Sequence, residues 1–253
     1  MACYIRTLDV DNKQGLFLKT QDLSEFASSM EYDAQYDKHY EDDIALIQKH
    51  ITAMGDRSLL DVCCGTGIVT IPVAKKLDNA VGIDIAEGML RHAKRKTQGL
   101  DTLSFLQQDA TQLSLDKRFD MAIMTGNAFQ AFLSDEMLVG VLNSISNHLN
   151  RGGRFIFDTR LPTPDNLEID AEMSLWQTYE LPDKGEVKFM GMSERYDAEN
   201  TVLYLKKERN YQNGTVVYSS IDLKYRKLSE IEAFLVEAGL CITEKYSSWA
   251  EDK

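Results

Sequence analysis

The feature that most constrains this chain is an alternation of short apolar runs with helix-period segments between residues 58 and 158. Ser58-Leu59-Leu60-Asp61-Val62 reads as a buried strand, and a glycine-containing turn leads from it into a helix over residues 68–76. The strand pattern recurs at 80–85, 103–106, 121–124 and 154–157. Between the strands, Met89, Leu90 and Ala93, and later Leu138, Val141, Leu142, Ile145 and Leu149, fall on one face of a helix. Apolar strands separated by helices bury both of their faces. The alternation therefore predicts an α/β fold, a doubly wound and mostly parallel sheet with helices on both sides.

Residues 174–226 follow a period of two instead. Val187 and Phe189 flank Lys188, while Val217, Ile221, Leu223 and Tyr225 share one parity. Turn signals at 182–185, 197–200 and Asn213-Gly214 divide this stretch into about four antiparallel strands. Asn213-Gly214 predicts a two-residue hairpin turn, because both residue types tolerate positive φ. The final helix is expected to start at Ser229 with a Ser229/Glu232 capping box, bury Ile231, Phe234, Leu235 and Ala238, and stop at Gly239. Residues 241–246 read as one more strand, and residues 21–54 as helical with a tyrosine-rich segment.

Charge and cysteine usage narrow the function classes. A net charge of −12 disfavours a phosphate-backbone partner, and Arg91-His92-Ala93-Lys94-Arg95-Lys96 reads as one solvated helix face. The four cysteines, two of them adjacent at Cys63-Cys64, form neither a disulfide framework nor a metal pair, and the four histidines are scattered. No metal is expected. No run approaches the roughly 20 apolar residues of a membrane span, and the first residues lack a secretory pattern. A cytoplasmic protein with reduced thiols is the expectation, with no membrane partner.

The chemistry concentrates in Leu60-Asp61-Val62-Cys63-Cys64-Gly65-Thr66-Gly67. Gly65 and Gly67 leave backbone N–H groups open to a ligand at the end of a parallel strand. A dinucleotide fingerprint needs a third glycine where Thr70 stands, and no Gly-Lys-Ser/Thr makes a P-loop. Asp84, nineteen residues after Gly65, ends the second strand, where a carboxylate can accept from both ribose hydroxyls.

These residues resemble the class I S-adenosylmethionine-dependent methyltransferases, a Rossmann-like family, over roughly residues 30–250. Residues 59–67 look like the family's first motif, with Cys63 standing where the family has its first glycine. Gly82-Ile83-Asp84 looks like the ribose-binding acid, and Gln108-Asp109-Ala110 is similar to the motif whose Asp meets the adenine amino group. Residues 119–127 and 150–154 match the fourth strand with its active-site turn and the turn before strand five. The resemblance implies S-adenosylmethionine as cofactor, contacted by Tyr40, Asp61, Cys63, Gly65, Thr66, Gly67, Asp84, Ile85, Met89, Asp109, Ala110, Thr125 and Gly126. Thr125-Gly126-Asn127-Ala128-Phe129 with Phe157-Asp158-Thr159-Arg160 is similar to the glycine N-methyltransferase group, in which the arginine matching Arg160 holds a substrate carboxylate. It implies a helical lid over 21–54 that places Tyr32 and Tyr40 at the site, and catalytic roles for Tyr32, Asn127 and Arg160. The whole chain, 1–253, then reads as one methyltransferase domain: lid, cofactor core at 58–160, β insertion at 171–226 and a return to the core at 229–249.

In-line transfer from a sulfonium needs orientation above all. No base stands out, so a small-molecule amine or carboxylate-bearing metabolite is the expected acceptor. The hairpins are expected to wall its pocket, with Trp176, Tyr204, Tyr218 and Tyr225 as candidate walls; pairing of two copies as a homodimer is the other use of those strands. Relatives end in an antiparallel seventh strand for which too few residues follow Trp249; either the chain is truncated or another segment fills the slot, with residues 3–8 as the candidate. Three competing readings are a nicotinamide-dependent oxidoreductase, which lacks its glycine and hydride-site acid or base here, a non-catalytic S-adenosylmethionine-binding module, and a methyltransferase acting on RNA or protein.

Overall fold

A computed structural model describes residues 22–250. Strands β1 (Ser58–Val62), β2 (Asn79–Asp84), β3 (Leu103–Gln107), β4 (Phe119–Met124) and β5 (Leu149–Phe157) form a parallel sheet in the order β3-β2-β1-β4-β5. The order reverses at β1, which opens a crevice at the carboxyl ends of β1 and β4, where doubly wound sheets take their ligands.

Strand parity sorts the core into two layers. Leu60 and Val62 pack with Val81, Ile83, Phe119 and Ala122 beneath α5 (Asp135–His148) and α6 (Leu228–Glu237). Leu59 belongs with Ala80, Met121 and Ile123 on the other face, against α2 (Glu41–Met54), α3 (Thr70–Ala74) and α4 (Glu87–Lys96). Leu138, Val141, Leu142 and Ile145 of α5 are fully buried, each contributing roughly 1.5–3 kcal/mol of transfer free energy.

The second sheet is an antiparallel meander of β6 (Ser174–Leu181), β7 (Gly185–Asp197), β8 (Val202–Tyr211) and β9 (Val216–Lys224). A short helix, α1 (Ser29–Tyr36), lies between the two sheets. Its Glu31 accepts from Tyr211 Oη at 2.6 Å, and Gln35 Oε1 accepts from Arg209 at 3.1 Å. Just before α1, Glu25 meets Arg209, Lys207 and Ser219 at 2.7–3.1 Å. Toward the parallel sheet, Asp33 accepts from Thr66 Oγ1 and pairs with His92 at 2.8 Å and Lys96 at 2.6 Å.

Several local expectations are corrected. The helix after the glycine turn covers only Thr70–Ala74, because positive φ at Gly67 delays its start. Leu149 opens β5 opposite Phe119 instead of closing α5, although it remains buried. The β8–β9 turn has three residues, not two: Gly214 N–H donates to Tyr211 O, Tyr211 N–H donates to Thr215 O, and only Gly214 has positive φ. The final helix begins at Leu228, with Lys227 N–H donating to Glu230 at 2.7 Å, while Glu232 pairs with Lys245. Residues 241–246 form no strand: Leu240 and Ile242 are held by core packing, with no ladder beside them. The 3–8 candidate lies outside the described residues. Among those residues no helix is long and apolar enough to cross a membrane, and no cluster of metal-ligating side chains occurs.

Candidate cofactor and acceptor site

A cavity of about 820 Å³ lies over the carboxyl ends of the parallel strands and beneath the antiparallel sheet, within the roughly 300–1,000 Å³ typical of small-ligand sites. Ten of the expected residues line its floor. Cys63 and Gly65 come from the turn after β1, and Asp84, Ile85 and Met89 from the end of β2 and from α4. Asp109 and Ala110 follow β3, and Thr125, Gly126 and Asn127 follow β4.

Asp84 ties the floor together. Its Oδ2 accepts from Gly65 N–H and its Oδ1 from Ala86 N–H, both at 2.8 Å. Burial raises its pKa, and those backbone bonds work against the rise. Asp109 Oδ1 accepts from Thr111 N–H and Oγ1 at 2.8 and 2.7 Å, whereas its Oδ2 is buried with no partner. A buried acceptor at a cavity wall calls for a donor from the ligand, and an adenine amino group supplies one. Ile85 and Met89 offer apolar surface for a ring beside it. The residues present therefore fit an adenosine-bearing cofactor.

The two motif glycines divide the work. A Cβ at Gly65 would meet nothing within 4 Å, so its backbone is open to a ligand. A Cβ at Gly67 would lie 2.8 Å from the Phe105 ring, so this glycine serves packing. Both have positive φ, and alanine at either costs about 1 kcal/mol of backbone strain. Gly67→Ala adds the clash and is expected to cost about 2–3 kcal/mol in a denaturant melt. Gly65→Ala is expected to melt within about 1.5 kcal/mol of the parent while weakening cofactor binding severalfold. Equal stability losses in the two variants would refute this division.

The structure turns three expected cofactor residues away from the cavity. Asp61 is buried beneath the loop and accepts from Thr70 Oγ1 at 2.6 Å, its pKa pushed up to about 7 by burial. Thr66 donates its hydroxyl to Asp33, and Gly67 faces Phe105. Cys63 stands in the left-handed region at φ 63°, a conformation that favours the family's glycine.

The upper wall is aromatic. Tyr32 and Tyr40 reach the cavity with their hydroxyls 3.4 Å apart, and a Cβ on Gly126 would come within 2.6 Å of Tyr40 Oη. Burial raises the pKa of both phenols, so they remain neutral donors. Asn127, at φ 57°, donates its N–H to the Asp158 carboxylate at 3.0 Å. Arg160 lines the cavity and makes no hydrogen bond or ion pair among the described residues. Trp176 and Tyr225 form part of the wall. Tyr204 instead stacks under the Arg195 guanidinium, and Tyr218 is exposed.

Among the cavity carboxylates that escaped the sequence reading of the site are Asp43 and Asp158. Asp43 belongs to the Glu41-Asp42-Asp43 run opening α2, a pattern that normally marks a solvated acidic first turn. Only the covering of α2 by the rest of the cavity distinguishes it.

The sheet order, the ligand crevice at its reversal and the adenosine-fitting floor define a class I methyltransferase fold. Residues 59–153 match the family model described as a methyltransferase domain, and that domain's cofactor is S-adenosylmethionine. The chain is similar to YqeM of Bacillus subtilis, a protein named provisionally as a methyltransferase: 27% identical over 131 residues, covering 48% of this chain and 53% of YqeM. It is also 29% identical over 96 residues to the dTDP-3-amino-3,4,6-trideoxy-alpha-D-glucopyranose N,N-dimethyltransferase of Streptomyces venezuelae, covering 38% and 39% of the two chains. The chain thus spans about half the length, or less, of these relatives. Among solved structures, an S-adenosylmethionine-dependent methyltransferase from Clostridium acetobutylicum shares the fold, with TM-score 0.74, 22% identity and coverage of 85% and 86% of the two chains.

Proposed function

We propose that this chain transfers the sulfonium methyl of S-adenosylmethionine to a small-molecule amine or carboxylate-bearing metabolite in the cytoplasm. The observation that carries the proposal is the continuity of one cavity from the cofactor floor to the inner face of the antiparallel sheet, where Trp176, Phe189, Leu203 and Leu223 offer apolar walls. An acceptor space of that kind argues against a cofactor module without an acceptor, and its size suits a metabolite rather than a nucleic acid. Tyr32 and Asn127 orient the acceptor, while Arg160, which makes no hydrogen bond or ion pair among the described residues, receives an anionic group of it. The likeness of 125–129 and 157–160 to the glycine N-methyltransferase group is part of this reading. The amino-sugar relative, which by its name acts on an amine, supports an amine acceptor.

Cofactor, when bound, supplies the electrophilic methyl; the chain holds the acceptor in line and excludes water. A methyl-transfer screen over amino acids, amines and phenols, read by release of the demethylated product, tests the reading. Arg160→Met is expected to raise the KM of a carboxylate-bearing acceptor about tenfold or more, with the affinity for S-adenosylhomocysteine unchanged. Turnover of hydroxyl compounds alone would overturn the amine assignment.

A further inference from the structure

Resting on the cofactor reading above, we propose that Asp43 binds the methionyl ammonium group of S-adenosylmethionine. The adenine end of the cofactor belongs at Asp109 and the ribose at Asp84, which sit at the ends of β3 and β2. The ammonium is at the opposite end of that ligand, and the cavity continues past β1 to the ends of β4 and β5. There it meets Asp43, which is only 4% exposed and to which no other described residue donates a hydrogen bond or an ion pair. A carboxylate buried at a cavity wall without donor or cation is costly unless the ligand brings one. An ammonium with three donors is such a group.

The charges around Asp43 favour a cation. Burial pushes its pKa up to about 7, and Asp158, at the end of β5, and Asp42, on the same helix, push in the same direction. Tyr40, just before α2, is the neutral phenol beside it, and Arg160 acts on Asp158 from beyond β5. The sign of the pH effect is set by this raised value. Below about pH 7 the free protein holds Asp43 protonated, and binding an ammonium favours the ionised form, so binding must release a proton. Affinity therefore falls as pH drops through that range.

The test is a pair of calorimetric titrations at pH 6 and pH 8, each in two buffers of different ionisation enthalpy. One ligand is S-adenosylhomocysteine, and the other is methylthioadenosine, which lacks the methionyl ammonium. For the parent protein we expect most of one proton released on binding S-adenosylhomocysteine at pH 6, little at pH 8, and none with methylthioadenosine. Asp43→Asn is expected to lose tenfold or more in affinity for S-adenosylhomocysteine and to release no proton, while binding methylthioadenosine as the parent does, which also reports its fold. Asp43→Glu is expected to restore the proton release. Absence of release in the parent, its persistence in Asp43→Asn, or equal weakening of both ligands would overturn the assignment. An Asp43→Asn variant that binds both ligands normally yet loses methyl transfer would overturn it too, moving the residue to the acceptor. A parent that binds neither ligand would instead bring down the cofactor reading on which the assignment rests.

Discussion

Asp84→Ala is expected to weaken binding of S-adenosylhomocysteine by about 100-fold, while leaving the melting curve almost unchanged. The carboxylate stands at the cavity floor with each oxygen holding one backbone N–H, from Gly65 and Ala86, and with lone pairs remaining for a ribose diol. Hydrogen bonds to a charged group contribute roughly 1.5–3 kcal/mol each. Losing two to the ligand is worth about 3 kcal/mol or more, and each 1.4 kcal/mol is about tenfold in affinity. The variant also frees the Gly65 turn from its anchor to β2, which acts in the same direction. Stability has less to lose, because burial already raises the pKa of Asp84 and the two freed N–H groups face a cavity that water can enter. Calorimetric titration with a parallel thermal melt checks both halves. An affinity within threefold of the parent would remove Asp84 from the cofactor site.

Asp84 was legible in the sequence for the same reason that most of the parallel sheet was. A strand in this fold is a short apolar run whose carboxyl end opens onto the crevice, so position along the chain translates directly into position at the site. Asp109 and Gly126 obey the same rule. Asp61 fails it by one step of parity: it lies within β1, so its side chain enters the layer beneath Thr70 and not the cavity. The antiparallel sheet was readable as alternation, yet the direction of each aromatic was not. Tyr225 is buried whereas Tyr218 faces solvent, and Trp176 borders the cavity while remaining partly exposed, differences set by which face α1 and the parallel sheet cover. Asp43 was illegible because Glu41-Asp42-Asp43 satisfies the helix dipole whether or not anything packs above it. The helix start at Leu228 was missed because Glu230 can reach the Lys227 N–H, a backbone donor that no side-chain motif advertises.

The part of the molecule least visible in the sequence carries the largest expected stability effect. Glu25 is 4% exposed and is the shared counter-ion of Lys207 and Arg209, which are 7% and 5% exposed. Glu25→Gln leaves two buried cations facing a neutral amide, and stranding a buried charge in this way costs roughly 3–5 kcal/mol. Lys207 relieves part of that cost by shedding its proton, since burial already lowers its pKa, so the lower end of the range applies. For a chain of this size about 3 kcal/mol corresponds to a fall in Tm of about 6–12 °C. The pH dependence gives an independent readout. Lys207 and Arg209 hold the Glu25 pKa below its ordinary 4.5 against the opposing push of burial. Its contribution is therefore complete above about pH 4.5 and is lost as pH falls through the lower folded value. Glu25→Gln should accordingly lose less stability than the parent between pH 5 and pH 3, even though it is less stable at pH 7. The functional consequence comes from what Glu25 anchors. With Gln35 on Arg209 and Glu31 on Tyr211, it fastens the segment carrying Tyr32 to β8 and β9. Loosening that segment uncovers the upper wall of the cavity, so the variant is expected to bind S-adenosylhomocysteine more weakly at temperatures where it is still fully folded. A Glu25→Gln protein with the parent's Tm and the parent's acid limb would show that the buried triad contributes nothing net, and that α1 is held by its Glu31, Gln35 and Asp33 contacts.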